Sequence, residues 1–132
     1  MSVIEDPGVE NGSKDSVFFL VKDPHWTFVW WEVSQDTLRK ISEDLGMVAR
    51  EAQLFLRIHD VTDIIFDGNN AHSWFDVEIT GQTDHWYLHV PVAGRNYCAE
   101  LVFKARDRLA IAARSNTACL PKDGPIQPLW IP

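Results

Sequence analysis

Hydrophobic and polar residues alternate along most of the chain between residues 16 and 120, and each alternating run ends at a cluster of turn-forming residues. A period of two is typical of β-strands with one buried face. The pattern predicts seven strands, at 16–22, 26–33, 53–60, 73–80, 85–90, 96–105 and 108–115. Short strands at this spacing predict a mainly β chain that folds as a β-sandwich.

The second predicted strand, residues 26–33, departs from simple alternation because it is apolar on both faces. A strand that is apolar on both sides must be covered on both sides. We expect Trp31 to lie in the core between two sheets, and Phe28 and Trp30 to be covered by the element that follows. Trp26, just after the Asp-Pro turn, remains a candidate for contact with a ligand.

That next element is predicted to be a short α-helix over about 35–45, between strands two and three. Ser34 is a favourable N-cap and Gly46 a favourable stop. Apolar residues recur on one side of this helix at Leu38, Ile41 and Leu45. A helix of this length needs tertiary packing to be stable, so we expect its apolar side to cover the outer face of strand two.

The last strand is expected to turn Leu109, Ile111 and Ala113 inward. The alternating region, residues 16–120, forms one predicted domain. Residues 1–15 have four acidic residues and no periodicity, which is typical of a disordered or weakly docked tail. Residues 121–132 contain four prolines and are expected to form an extended tail outside the sheets. Trp130 gives this tail an aromatic residue that suits docking on an apolar patch.

The net charge of −7 and the pI near 5.0 argue against binding to nucleic acids or to anionic membranes, because both depend on basic residues. No apolar run approaches the roughly 20 residues that span a bilayer, and the first residues do not resemble a signal peptide. Cys98 and Cys119 lie far apart and are expected to stay reduced. These features favour a cytoplasmic protein.

Catalytic and metal-binding patterns are weak, and we expect neither an enzyme nor a bound metal or cofactor. His85 and His89 share a strand face but stand about 13 Å apart, which is too far for one ion. Asp76 and Glu78 lie about 7 Å apart, a spacing found in glycosidases. Alternating acidic residues on a solvated strand also produce this spacing, so the pair is weak evidence for hydrolysis.

Charged residues on predicted central strands need partners if they are buried. Glu32 ends the aromatic strand, and Arg57 and Arg114 lie within strands three and seven. We expect these three residues to take part in structural ion pairs rather than in a ligand groove.

Outward-facing aromatic residues are the strongest sign of a binding surface. Alternation turns Trp74 and Tyr87 outward, near Asp76 and His85. With Trp26, these residues form the candidate ligand-contacting set. Aromatic faces next to polar groups suit either sugar rings or a protein partner, including a second copy of the chain. The remaining possibility is that the helix and the proline-rich tail cover them.

The segment 88–101 resembles the corner between strands five and six of immunoglobulin-like and fibronectin type III-like domains. In such corners a tyrosine near the start of strand six bonds through its hydroxyl to the backbone just upstream. The resemblance implies that Tyr97 is this structural tyrosine, and that the sandwich is immunoglobulin-like.

The chain also resembles, over roughly 16–120, a bacterial family of unknown function with a DPxW…[YW]WE opening and an ARSN closing strand. The motifs here are Asp23-Pro24-His25-Trp26, Trp30-Trp31-Glu32 and Ala113-Arg114-Ser115-Asn116. Trp30 replaces the family's usual tyrosine. The resemblance implies no activity, cofactor or catalytic residue. Some relatives are encoded near α-glucan-processing enzymes, which suggests such a polysaccharide as an alternative ligand.

The sequence therefore predicts a non-catalytic cytosolic binding or scaffolding module. Its expected partner is a protein or a second copy of itself, and the alternative is an α-glucan-type polysaccharide.

Overall fold

The computed structural model describes residues 15–122, and both predicted tails lie outside this range except at their inner ends. The seven strands are β1 (Ser16–Val21), β2 (Trp26–Glu32), β3 (Gln53–Asp60), β4 (Ser73–Ile79), β5 (His85–His89), β6 (Asn96–Ala105) and β7 (Arg108–Cys119). Helix α1 (Gln35–Leu45) and a single 3₁₀ turn (Ala49–Glu51) connect β2 to β3. The mainly β prediction with one helix is confirmed.

The strands form two antiparallel layers that face each other. One layer has the order β1-β2-β5 and the other has the order β4-β3-β6-β7. A short parallel contact between Val17 of β1 and Ser115 of β7 joins the two layers along one seam. This arrangement is the immunoglobulin-like sandwich that the sequence predicted.

The core lies between the layers and is built from the inward side chains of both. Val29 of β2, Leu56 and Ile58 of β3, and Leu101 of β6 have no accessible surface. Trp31 is buried beside them, as the alternation of β2 predicted. Thr27 shares this inner face, where its hydroxyl donates to the carbonyl oxygen of Leu88 at 3.0 Å. The buried hydroxyl is therefore satisfied.

Asn116 reinforces the seam between the layers by replacing a missing strand contact. Its Oδ1 accepts from the backbone N–H of Phe19, and its Nδ2 donates to the carbonyl oxygen of Phe19, both at 3.0 Å. The side-chain amide thus pairs with β1 as a backbone amide of a neighbouring strand would. The last residue of the ARSN motif therefore holds the two sheets together.

The corner between β5 and β6 is held by Tyr97. The side chain is buried, and its hydroxyl donates to the carbonyl oxygen of Val92, five residues upstream, at 2.9 Å. This is the bond that the corner resemblance implies. Desolvation raises the pKa of the Tyr97 phenol, with a further contribution from the Asp60 carboxylate.

Helix α1 begins and ends where its capping residues predicted. The Ser34 hydroxyl accepts from the N–H of Thr37 at 3.1 Å, and Gly46 closes the helix in the left-handed region with φ of 72°. Ile41 and Leu45 are buried.

The predicted position of α1 is wrong. The helix packs against β6 and β7, and it leaves the outer face of β2 uncovered. The physical reason is the path of the chain, because α1 must carry it from one layer to the other. Its apolar side consequently joins the core shared by the layers. The guanidinium of Arg108 fixes its C-terminal end by donating to the carbonyl oxygen of Asp44 at 3.0 Å.

The predicted inward face of β7 is also partly wrong. Leu109 and Ile111 point outward and are 40% and 50% exposed, whereas Ala110 packs on the core. The pairing of β6 with β7 shifts register between Leu101 and Val102, which indicates a β-bulge. An extra residue in one strand reverses its alternation beyond the bulge.

The different burial of two tryptophans in β2 generates the first prediction. Replacing Trp31 by alanine empties a core site and should lower the free energy of unfolding by about 3–5 kcal/mol. Trp26 is 46% exposed, so the same change there should cost about 1 kcal/mol. Urea unfolding of the two variants measures the difference. An equal loss in both would show that Trp26 is also a core residue.

Candidate binding surface

The outer face of the β1-β2-β5 layer is apolar and open to solvent. The inward positions of these strands are filled by the core, so the alternate residues point outward. We call this surface the aromatic face; its central residues are Phe18, Leu20, Phe28, Trp30 and Tyr87. Phe18, Leu20 and Tyr87 are 47%, 53% and 57% exposed. No element within residues 15–122 covers the face.

The rings of the aromatic face contact one another across the strands. Phe18 stacks on Trp30 with ring centroids 5.0 Å apart and 20° between the planes. Phe28 lies 5.5 Å from Trp30 and 4.9 Å from Tyr87, with tilted planes. Such ring pairs stabilise one another beyond the area they bury. The side chains therefore form one continuous surface rather than separate exposed residues.

A shallow groove of about 480 Å³ crosses this face. Its lining residues are Leu20, Phe28, Trp30, Asp84, His85 and Tyr87. Four of the six are apolar or aromatic, and the polar pair Asp84 and His85 lies at one end, where the Asp84 carboxylate is 3.0 Å from His85 Nδ1. The His85 hydrogen bond and, to a smaller extent, its charge lower the pKa of Asp84.

A polar rim lies at the other end of the face, around the β1–β2 turn. The Asp23 carboxylate accepts from the backbone N–H groups of His25 and Trp26 at 2.9 and 2.8 Å, and these bonds lower its pKa. The His89 and Trp26 rings form a T-shaped pair with centroids 5.1 Å apart. Lys22 places its Nζ 5.4 Å from the Tyr87 ring. An apolar centre with a polar rim is an arrangement that also occurs at protein–protein interfaces.

The five predicted contact residues do not form one site. Trp26, His85 and Tyr87 lie on the aromatic face, whereas Trp74 and Asp76 lie on the outer face of the other layer. Arg57 engages both of the latter residues. Its guanidinium lies 4.0 Å from the centre of the Trp74 ring and forms two hydrogen bonds with Asp76, at 2.8 and 3.0 Å.

This Arg57–Asp76 pair raises the pKa of Arg57 and makes it a structural ion pair, as we expected for Arg57. Because the Asp76 carboxylate is bonded to Arg57, it is not available to act as a catalytic pair with Glu78. The two carboxylates that matched a glycosidase spacing are therefore not both free.

Two carboxylates within residues 15–122 are buried, those of Asp60 and Glu100, and Glu32 is not one of them. Glu32 is exposed and forms no ion pair with any residue between 15 and 122. Glu100 is 1% exposed; its two oxygens lie 2.7 Å from His59 Nε2 and 3.1 Å from the Arg114 guanidinium. Arg114 is thus part of a structural pair, with a partner that the sequence did not indicate.

The β3–β4 connection explains how Glu100 becomes buried on an outer face. Phe66 of this connection packs on the His59 ring at 4.6 Å, and the Arg114 guanidinium lies 4.7 Å from the centre of the Phe66 ring. Desolvation alone would raise the pKa of Glu100. The hydrogen bonds and charges of His59 and Arg114 outweigh it and hold the pKa below its ordinary value.

Reasoning from the sequence predicted Tyr87 and Arg114 but missed Phe18, Leu20, Phe28 and Trp30 of the aromatic face, and Glu100 of the Glu100 cluster. A usable signal existed for the first, because Phe18 and Leu20 alternate with the core residues Val17 and Phe19. Two adjacent strands that are apolar on both faces indicate a face that one short helix cannot cover. For Glu100 the signal was a single acid inside the apolar run 97–103.

Other chemistry is sparse in the described range. No group of three or more histidine, cysteine, aspartate or glutamate side chains within residues 15–122 is arranged to hold a metal ion. Burial raises the pKa of the Cys98 thiol, which disfavours a nucleophilic thiolate. Cys98 and Cys119 are both free. Of the helices between residues 15 and 122, none has the length and apolar character needed to cross a bilayer.

Comparison with known proteins supports the fold. The family described as "Domain of unknown function (DUF4912)" matches residues 13–129. The third fibronectin III domain of the human KIAA0343 protein superposes with a TM-score of 0.52 at 14% identity, over 96% of this chain and all of that domain. The fn3 domain of human collagen alpha-1(XX) chain aligns over the same shares at 12% identity, with a TM-score of 0.45. No curated protein matches the chain.

The Glu100 cluster generates a prediction about acid stability. Because the pKa of Glu100 is lower in the folded state, its stabilisation is present above its unfolded pKa and is lost as the pH falls through the folded pKa. Glu100→Gln should lower the free energy of unfolding by about 3 kcal/mol at pH 7. The variant should also lose less additional stability than the unmodified protein when the pH falls below about 4.3.

Urea unfolding between pH 7 and pH 3 measures both effects, and Glu78→Gln, which changes an exposed carboxylate, is the control. If the Glu100 variant loses stability with acid as steeply as the unmodified protein, Glu100 does not carry this pH dependence.

Proposed function

The chain belongs to the DUF4912 family, a domain of unknown function, and we propose that it is a non-catalytic binding module whose aromatic face contacts a protein partner. The observation that carries this proposal is the continuity of the face. Three strands contribute exposed aromatic or aliphatic side chains that contact one another rather than lying singly on the surface. Contiguous apolar surface of this kind marks interaction sites, whereas isolated exposed apolar residues are ordinary.

The order of the face also favours a role in binding. Phe28 is held between Trp30 and Tyr87, and Trp30 between Phe28 and Phe18. These rings have little conformational freedom left to lose when a partner binds, which reduces the entropic cost of association. Aromatic residues with such support are the residue class that dominates binding energy at protein interfaces.

A protein partner fits this geometry better than a polysaccharide. Phe18 and Trp30 stack against each other, so each ring covers part of the surface that a sugar ring would need. The planes of Phe28 and Tyr87 differ by 52° and do not form a common platform. An α-glucan-type ligand remains the second candidate, on the strength of Tyr87 and His85 beside the groove.

The chemistry of the remaining surface is consistent with a module without catalysis. Asp76 is engaged by Arg57, and Glu78 borders a different depression at the end of the sandwich. The two free thiols fit a reducing compartment, and we propose the cytoplasm as the location.

The proposal predicts that partner binding depends on the aromatic face alone. Tyr87→Ala should weaken binding at least tenfold, because it removes a supported ring from the centre of the surface. Trp74→Ala is the matched control, since Trp74 is 54% exposed, close to the 57% of Tyr87, but lies on the other layer. The partner is captured from an extract of the source cells on immobilised full chain, identified, purified and titrated against all three proteins by calorimetry.

A similar loss in both variants would overturn the assignment to this face. Light scattering of the full chain over a range of concentrations identifies the case in which the partner is a second copy. Retarded migration of the full chain in a glycogen gel, abolished by Tyr87→Ala, would instead favour the carbohydrate candidate.

A further inference from the structure

We propose that residues 123–132 of this chain bind in the groove of the aromatic face and act as an internal competitor for its partner. The role as competitor rests on the proposed function, whereas binding of the segment does not. The sequence of the segment is Asp-Gly-Pro-Ile-Gln-Pro-Leu-Trp-Ile-Pro. It lies outside the described residues, and three features of the described part point to this location.

The first feature is where the described chain ends. The carbonyl oxygen of Pro121 accepts from the N–H of Gly94 at 2.9 Å, so the chain leaves β7 beside the β5–β6 connection. That connection begins at Val90, whose N–H donates to the carbonyl oxygen of His25 at 2.7 Å. The segment therefore starts at the end of the sandwich where β5 finishes and β2 begins, next to Trp26.

The second feature is the reach of the segment. Gly94 is four residues beyond Val90 in the chain, a span of at most about 14 Å. Phe28 lies two residues along β2 from Trp26, which adds about 7 Å. Trp130 is eight residues beyond Lys122, and an extended polyproline II segment of that length spans about 25 Å. The segment is thus long enough to place Trp130 against the groove.

The third feature is the match in chemistry. Pro125 and Pro128 have the spacing of a P-x-x-P sequence, which favours polyproline II and docks on aromatic-lined grooves in known recognition domains. Proline cannot extend a sheet through its backbone, so the segment is suited to the face rather than to a strand edge. The carboxylate of Asp123, the first residue of the segment, is opposite in charge to Lys22 at the rim of the face. Leu129, Trp130 and Ile131 supply the apolar contacts.

Attachment to the same chain makes this contact effective even if each part binds weakly. A short tether gives an effective concentration in the millimolar range. A free partner must compete with the segment, so its apparent affinity falls by a factor of one plus the ratio of bound to unbound segment. Loss of Trp130 should therefore tighten binding of the partner at least threefold.

NMR of the full chain labelled with ¹⁵N tests the contact without a partner. We expect the Trp130 indole N–H to show a heteronuclear NOE typical of ordered residues. Trp130→Ala should shift the signals of Trp30 and Tyr87 and leave those of Trp74 unchanged. Gln127→Ala, at a variable position of P-x-x-P, is the control and should leave the Trp30 signal in place. A synthetic peptide of residues 123–132, added at millimolar concentration to the Trp130→Ala protein, should restore the shifts.

A flexible Trp130 indole, or shifts confined to residues near 120–132, would overturn the inference. Shifts that grow with protein concentration would also overturn it, because they would place the segment on a second copy. If the segment does not bind but Tyr87→Ala still weakens the partner, the inference fails and the proposed function stands. If the segment binds but the partner is insensitive to Tyr87→Ala, the proposed function fails and the segment is a structural cover.

Discussion

The pleat of β2 is the constraint on which the rest of the structure depends. Thr27, Val29 and Trp31 fill the space between the layers, and the period of two then forces Phe28 and Trp30 to the outside. β1 and β5 pair with β2 on either side and follow the same rule. The aromatic face is therefore fixed by the same packing that forms the core. A one-residue shift in the register of β2 would bury the aromatic face, but it would also expose Val29 and Trp31 to solvent.

The two layers differ in whether a connecting segment covers their outer face. On the β4-β3-β6-β7 layer, the β3–β4 connection folds over Glu100 and places Phe66 between His59 and Arg114. Gly68 in this connection has φ of 103°, where any side chain would be strained, and a Cβ there would lie 2.8 Å from an Arg114 nitrogen and displace the guanidinium. No comparable connection within residues 15–122 crosses the β1-β2-β5 layer. Among the described residues, the β1-β2-β5 layer therefore has the open outer face of the sandwich.

Local signals in the sequence were sufficient for both ends of α1, for the core position of Trp31 and for the strands, except that β7 was predicted to end at Ser115 and continues to Cys119. Each of these features depends on residues close in the chain. The errors concern geometry between distant elements. The position of α1 depends on the path of the chain between the two layers. The outward orientation of Ile111 depends on a β-bulge, which no single residue in the sequence predicts. Glu32 was expected to be buried because its neighbours are aromatic, but it falls on the open face of β2. The residues adjacent in sequence were not sufficient to predict on which face of its layer each of these side chains lies.

The seam formed by Asn116 makes the joint between the sheets dependent on the chemistry of one side-chain amide. Spontaneous hydrolysis of the side-chain amide would produce aspartate, which can only accept hydrogen bonds when ionised. The oxygen that replaced Nδ2 would then face the carbonyl oxygen of Phe19, turning an attraction into a repulsion. Since the backbone contact between β1 and β7 is confined to Val17 and Ser115, this change of one atom would loosen β1 at the joint between the two sheets. The attachment of β1 to the other layer therefore requires both a donor and an acceptor at this one position.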